Sequence, residues 1–278
     1  MSWQNLMMLE TAFDSGLIKA YRRDGVILLR GLVPAEAVEM LRRMADLVQE
    51  VPLPLRATNG EALPDSYLWL VFSEIEEALL SLPLARVAAA LMGSRSARLF
   101  YDQVFVKPSG HSMPTPWHQD ASHWCLKGEQ ICSIWLALDE IGPMDGGLRY
   151  LVGSHLSGII FRPQSRDGLP WPETEGETAP DFESPEFRAS EVSFILRPGD
   201  VVVHHARTVH ASFSNSMGTH ARRAYVTRWL GDDVVYQPRG FTMPMPLDVK
   251  LTTGSSLEHT LFPKLHVDVG SDGCSSSH

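Results

Sequence analysis

From about residue 95 the chain breaks into short runs rich in β-branched and aromatic residues, set apart by Gly, Pro and Asp. The runs are "ARLFYDQVFVKPSG", "ICSIWLALDEI", "GGLRYLVGSH", "VSFILRPGD", "VVVHHARTVHASFS" and "RAYVTRWL". Strands this short, punctuated this regularly, predict antiparallel sheets that close into a sandwich or a jelly roll. Between the third and fourth runs lies "RPQSRDGLPWPETEGETAPDFESPEF", acidic, rich in proline and without either period. It predicts a long surface loop of the kind that serves as a lid or binding element, covering about residues 161–190.

The N-terminal third has a different texture. "DGVILLRGLVP" is a short apolar run bounded by Gly25 and Gly31, which predicts a buried strand. In "PAEAVEMLRRMADLVQEVP", Val38, Leu41, Met44, Ala45 and Val48 fall on one face at helical spacing, Pro34 suits the start, and Pro52 and Pro54 end the helix. A second helix is predicted in "LARVAAALMG", stopped by Gly93. The expected organisation is one domain over 1–255, with a helical part to about 94 and a β core over about 95–250. A flexible tail is expected over 256–278, ending in "GSDGCSSSH".

With 278 residues and 44% hydrophobic content the chain can bury a large core. A net charge of -9 argues against a nucleic-acid or anionic-membrane surface, because those need clustered Lys and Arg. A small-molecule partner is therefore expected. Three cysteines, Cys125, Cys132 and Cys274, provide neither a disulfide framework nor a Cys-x-x-Cys zinc site, which fits a reducing compartment. The start, "MSWQNLMMLE", lacks the pattern of a signal peptide, and no apolar run approaches the roughly 20 residues needed to span a bilayer. A cytoplasmic protein is expected.

Within "PTPWHQDASHW", His118 and Asp120 are two apart. In a strand such residues point to the same face, so one imidazole and one carboxylate can converge. A third ligand has to come from another element, and "GDVVVHHARTVHASFSNS" has His204, His205 and His210. Two histidines and one carboxylate, with three positions left open, form the facial triad of non-haem Fe(II) oxygenases. Zinc uses the same ligand types, which keeps a hydrolase in view. An isolated His-x-Asp pair also arises as surface polarity, so context decides. Part of that context is "RRAYVTRW": an arginine on the inner wall of a sheet barrel is costly unless it meets an anion, and its planar fork matches a carboxylate. Alternation puts Arg222 and Arg228 on one face and Arg223 on the other.

The chain resembles the phytanoyl-CoA dioxygenase family of Fe(II)- and 2-oxoglutarate-dependent oxygenases. The resemblance rests on "YRRDGVILLRGLVPAEAVEMLR", "FYDQVFVKPSG", "TPWHQD", "CSIWLALDEIGPMDGGLRYLVGSH" and "PGDVVVHHARTVHASFSNS" with "RRA", together most of residues 20–235. It implies a mainly β fold with flanking helices around a double-stranded β-helix (jelly-roll, cupin-like) core. It also implies Fe(II), with 2-oxoglutarate and O2 as cosubstrates.

Carried over residue by residue, it makes His118, Asp120 and His210 the iron ligands, His210 because it precedes "ASFSN". Arg222 becomes the anchor for the far carboxylate of 2-oxoglutarate, with Arg223 an alternative because the gap from His210 is one residue longer than in some relatives. Gln103, Trp135 and Ser212 become cosubstrate-pocket residues, and His204 and His205 strand residues or supports. The implied reaction is hydroxylation or a related oxidation of a C–H bond, yielding succinate and CO2. Related halogenases replace the carboxylate by a small residue, so Asp120 points away from halogenation. The competing functions are a jelly-roll binding protein without iron and a zinc-dependent hydrolase on a similar barrel. By position, His123 and Trp124 are expected to face substrate.

Overall fold

The computed structural model describes residues 15–110, 113–165, 168–171, 174–216, 220–241 and 243–267. The chain opens with helix α1 (Ser15–Asp24), strand β1 (Val26–Leu29) and helix α2 (Ala35–Glu50), followed by α3 (Ser73–Ser81) and α4 (Leu84–Met92). Then come β2 (Ser96–Lys107), β3 (Thr115–His118), β4 (Leu126–Lys127), β5 (Ile131–Ala137), β6 (Leu148–Leu151) and β7 (Glu191–Ser193). The last strands are β8 (Val201–His205), β9 (His210–Ser212), β10 (Arg222–Leu230), β11 (Val235–Tyr236) and β12 (Lys264–Val267).

Two antiparallel sheets carry the architecture. One has six strands in the order β1-β8-β5-β10-β2-β12, the other four in the order β3-β9-β6-β7, and β4 and β11 form a small pair at one end. Consecutive strands repeatedly land in opposite sheets, as a jelly roll requires. The inner faces meet through Trp135, Val202, Ala224 and Val226 of the larger sheet and Tyr150 of the smaller one. The outer face of the larger sheet is covered by helices, with Leu41 of α2 and Val87 of α4 in one cluster with Ile134, Val203, Tyr225 and Trp229. This sandwiching explains why all seven residues of β5 are buried: a strand covered on both faces loses its polar alternation. It also explains the buried stripe Val38, Leu41, Ala45 and Val48 on α2. Helix α4 ends as expected at Gly93, whose φ of 67° is the left-handed conformation that favours glycine.

The strand predicted between Gly25 and Gly31 is β1, and it belongs to the core itself, as the edge strand of the larger sheet paired with β8. One expectation needs correction: the chain is not loose from 256. Residues Leu257, Leu261 and Phe262 are buried in a cluster with Phe100 and Trp124, and β12 extends the sheet by pairing with β2. Those apolar side chains are what holds the segment down. The serine-rich end, from 268, lies outside the described residues.

Candidate metal centre

The smaller sheet brings the two histidines together. His118 ends β3 and His210 begins β9, and the two are direct partners in the ladder. Their rings lie 4.2 Å apart between centroids. Just past β3 the chain turns into a short 3-10 segment, Asp120–His123, which swings the Asp120 carboxylate back toward the pair. Its Oδ1 lies 3.9 Å from His118 Nε2 and 3.8 Å from His210 Nε2, and one ligand atom from each residue falls within 4.8 Å of the others.

The chemistry of these donors suits a cation. His118 Nδ1 donates to Pro116 O at 2.9 Å and His210 Nδ1 to Thr208 O at 2.9 Å, which fixes the tautomers and leaves both Nε2 lone pairs free. Burial lowers the pKa of His118 and drives that of His210 well down, so both rings are neutral. For Asp120, burial works against ionisation but is outweighed by the His204 hydrogen bond, with the Arg228 charge adding to it, so the carboxylate stays ionised. Its Oδ2 accepts from Ser133 Oγ at 2.6 Å and from His204 Nε2 at 3.2 Å, which orients Oδ1 toward the histidines. Two neutral imidazoles and one oriented anion are what a divalent metal binds, and the residues present therefore fit an Fe(II) ion.

A cavity of about 590 Å³ adjoins the triad, lined among others by Trp135, Leu148, Ser212, Arg222, Val226 and Arg228. Arg222 is 3% exposed. Its Nη2 donates to Gly146 O at 2.9 Å, its Nε finds no acceptor, and its Cζ lies 5.3 Å from the centroid of the Trp135 ring. Burial pulls its pKa down to about 10, so it still carries its charge. Lys107, directly opposite Arg222 in the β2·β10 ladder, adds a second cation. Its Nζ donates to Ser212 Oγ at 2.7 Å, Met113 O at 2.8 Å and Phe213 O at 2.9 Å. Burial, then the Arg222 charge, bring its pKa down to about 7. Ser212 Oγ also accepts from Thr115 N at 3.1 Å, so its own proton is left to donate elsewhere.

Arg223 lies on the other face. It pairs with Asp139 at 2.7 Å and with Asp46 at 2.7 Å, away from the cavity, as strand alternation predicts. Trp135 and Ser212 line the cavity, whereas Gln103 stands behind it: Nε2 donates to Asp65 and Oε1 accepts from Arg228 at 3.0 Å. His204 supports Asp120, and His205 faces Glu129 O. His123 and Trp124 do not line the cavity. The short turn after β3 points His123 at Gln164 O and the Trp171 ring, and packs Trp124 against Phe100 and Tyr101. Trp117 packs too, against Phe182 and under Arg149. Sequence reasoning missed Lys107 on the cavity wall and Ser133 behind Asp120, whereas strand alternation already places Arg228 on the face of Arg222. A period-2 reading from Gln103 would have put Lys107 on the same face.

A jelly roll with two histidines and one carboxylate on its inner wall has the donor set of the non-haem Fe(II) oxygenase class. A sequence model of the phytanoyl-CoA dioxygenase (PhyH) family matches residues 21–224, and the chain belongs to that family. It is 25% identical over 169 residues to "Phytanoyl-CoA dioxygenase" of Arabidopsis thaliana, covering 58% of this chain and 56% of that protein. It is 31% identical over 99 residues to "Phytanoyl-CoA dioxygenase 1" of Oryza sativa subsp. japonica, covering 35% and 32%. The matched part thus spans about half or less of these relatives. Among solved structures it is similar to the epimerase SnoN in complex with Fe3+, alpha ketoglutarate and nogalamycin RO, at TM-score 0.72 and 26% identity over 92% of this chain and 100% of that one. The carbocyclase SnoK, at TM-score 0.67 and 23% identity over 90% and 96%, shares the fold. No described helix is long and apolar enough to cross a membrane.

Proposed function

We propose that this protein is an Fe(II)- and 2-oxoglutarate-dependent oxygenase that oxidises an unactivated C–H bond of a small organic molecule. One observation carries the reading: the His118, Asp120 and His210 donors share a cavity with Arg222 and Lys107, two cations that no described carboxylate pairs with. A zinc hydrolase accounts for the donors but gives the buried cations no partner. A binding protein without iron leaves the oriented donors unexplained.

When bound, Fe(II) with 2-oxoglutarate and O2 supplies an oxidant able to take hydrogen from an unactivated carbon, with succinate and CO2 as by-products. The chain's part is to hold and orient. His118 and His210 offer Nε2, and Asp120 offers Oδ1 while Ser133 and His204 hold its other oxygen. Arg222 and the free proton of Ser212 receive the far carboxylate of the cosubstrate, Lys107, whose three hydrogens are already donated, adds its charge, and Trp135 walls that end from solvent. Gly146 and the Lys107 contacts keep both cations in place before the anion arrives, so little has to reorganise on binding.

The cavity volume suits a substrate of drug-like size. With the SnoN likeness, that supports an intermediate of secondary metabolism as the substrate, with hydroxylation as the outcome and epimerisation as a variant of the same hydrogen abstraction. Anaerobic addition of Fe(II) and 2-oxoglutarate should give a visible metal-to-ligand charge-transfer band, and admitting O2 should give succinate. Asp120→Ala should abolish both. Absence of band and succinate with the intact protein would overturn the proposal.

A further inference from the structure

Arg228 shares the inner face of β10 with Arg222 but has no role in the chemistry so far assigned. It is 5% exposed and lines the cavity. Only Nη2 has a protein acceptor, Gln103 Oε1 at 3.0 Å; Nε and Nη1 have none. No described carboxylate lies within ion-pair distance of it, the Asp120 charge acting on it only at longer range, whereas Arg223, on the outer face of the same strand, has two ion pairs. A buried guanidinium satisfied by one neutral oxygen is costly, and the cost is recovered when an anion fills the space beside it.

Its position says which anion. Arg228 is opposite Ser133 in the β5·β10 ladder, and Ser133 holds Asp120, so this guanidinium stands at the level of the triad. Arg222 stands six residues away along the strand, a Cα separation of about 20 Å. A five-carbon diacid anchored at Arg222 and reaching the triad leaves Arg228 unspent beyond it. The walls there are aromatic: the Arg228 Cζ lies 4.2 Å from the Tyr101 ring centroid and 5.7 Å from that of Phe105, a ring 36% exposed where it lines the cavity. Gln103, bridging Arg228 and Asp65, locks the guanidinium over Tyr101.

We infer that Arg228 binds an anionic oxygen, a carboxylate or enolate on an aromatic or flat ring system, of the primary substrate, and so sets which carbon faces the metal. The inference rests on the oxygenase reading, and its test separates the two. Protein loaded anaerobically with Fe(II) and saturating 2-oxoglutarate is first checked for the charge-transfer band. It is then titrated calorimetrically with 2-naphthoate and with the uncharged 2-naphthamide.

Wild type should bind the naphthoate, and Arg228→Gln should weaken that binding about tenfold or more while changing naphthamide binding little, since a charge-assisted hydrogen bond is the stronger kind. Arg228→Lys, which keeps the charge, should fall between. Should the Gln variant fail to fold, the preference of wild type for naphthoate over naphthamide and its reduction in the Lys variant carry the test. No preference for the carboxylate in wild type, or equal naphthoate affinity in wild type and variants, would overturn the inference. Loss of the band in folded Arg228→Gln would overturn it too, by assigning the arginine to the cosubstrate. A wild type with no band at all fails at the earlier step, and that failure belongs to the oxygenase reading alone.

Discussion

Lys107 is the residue on which the pH behaviour of cosubstrate binding turns. In the free protein its ammonium shares a buried corner with Arg222, and burial followed by that like charge brings its pKa down to about 7. A bound carboxylate favours the charged form, so above pH 7 binding has to be coupled to proton uptake. The Kd for 2-oxoglutarate should therefore be flat below about pH 7 and rise toward tenfold per unit above it, and Lys107→Met should bind more weakly with the slope removed. Titrating the charge-transfer band from pH 6 to 8.5 checks this; a slope unchanged in Lys107→Met would assign the proton elsewhere. The same corner shows what single residues reveal in a sequence. His118 and Asp120 are legible as a His-x-Asp pair, although β3 ends at His118 and the Asp120–His123 turn, not a strand period, brings the carboxylate back; Arg222 and Arg223 are separated by alternation within β10. Ser133 and His204 are not legible, because their contact with Asp120 spans 13 and 84 positions and is created only by pairing β5 with β8.

Among the elements, the strands with turn residues at both ends are the ones the sequence predicts well. β5 and β6 lie inside expected runs, and β2 and β10 each begin one residue before theirs. "VSFILRPGD" behaves differently: only Glu191–Ser193 forms β7, and the rest runs as loop into the "RPGD" turn. That turn is where the N-terminal segment is attached. Asp200 accepts from Gly31 N at 2.8 Å, Arg30 Nη1 at 2.6 Å and Arg197 N at 2.9 Å, and Val33 N donates to Gly199 O at 3.1 Å. Gly199 has φ of 90°, and a Cβ there would lie 2.4 Å from Val33 O. Gly199→Ala thus meets both backbone strain and a backbone clash, and should cost roughly 2–4 kcal/mol. Gly254→Ala, at φ of 83° with nothing within 4 Å of its Cβ, should cost only the strain, about 1 kcal/mol. Thermal denaturation compares the two; equal losses would mean that the "RPGD" contact with Val33 is dispensable. Helices α1 and α3, of ten and nine residues, are absent from the sequence reading. In α3 the apolar stripe is weak, and burial of Ile75, Ala78 and Leu79 against its neighbours is what holds its nine residues in a helix.

At the scale of the whole molecule, both faces of the larger sheet are committed, one to helices and one to the cavity, so polar groups at its ends have to be satisfied locally. The expected loop over 161–190 is part of this. Phe161, Phe182 and Phe187 pack on Trp117 and Val209, and Arg149 is hydrogen-bonded to Glu183, so the segment is tied to the outside of the smaller sheet and contributes no described residue to the cavity lining. Its composition could not reveal this, because its few aromatics are scattered among acidic and proline residues.

His205, at the end of β8, shows what such local satisfaction costs. Its Nε2 donates to Glu129 O at 2.8 Å and its Nδ1 accepts from Arg207 N at 3.0 Å, a pattern that only the neutral ring can make. Burial, then the Arg207 charge, push its pKa down to about 3. In the unfolded chain the ring titrates near pH 6.5, so between these values the unfolded state holds a proton that the folded state does not. The stability from this group is therefore complete above about pH 6.5 and declines as the pH falls toward 3, by up to about 1.4 kcal/mol per unit. Denaturant unfolding of wild type and His205→Gln between pH 4.5 and 7.5 isolates it, since the other buried histidines contribute equally to both proteins. The Gln variant, which keeps a donor for Glu129 O but does not titrate, should be less stable at pH 7.5 and lose less on acidification, so that the two curves converge toward low pH. Parallel curves would show that the proton is taken up elsewhere in the fold.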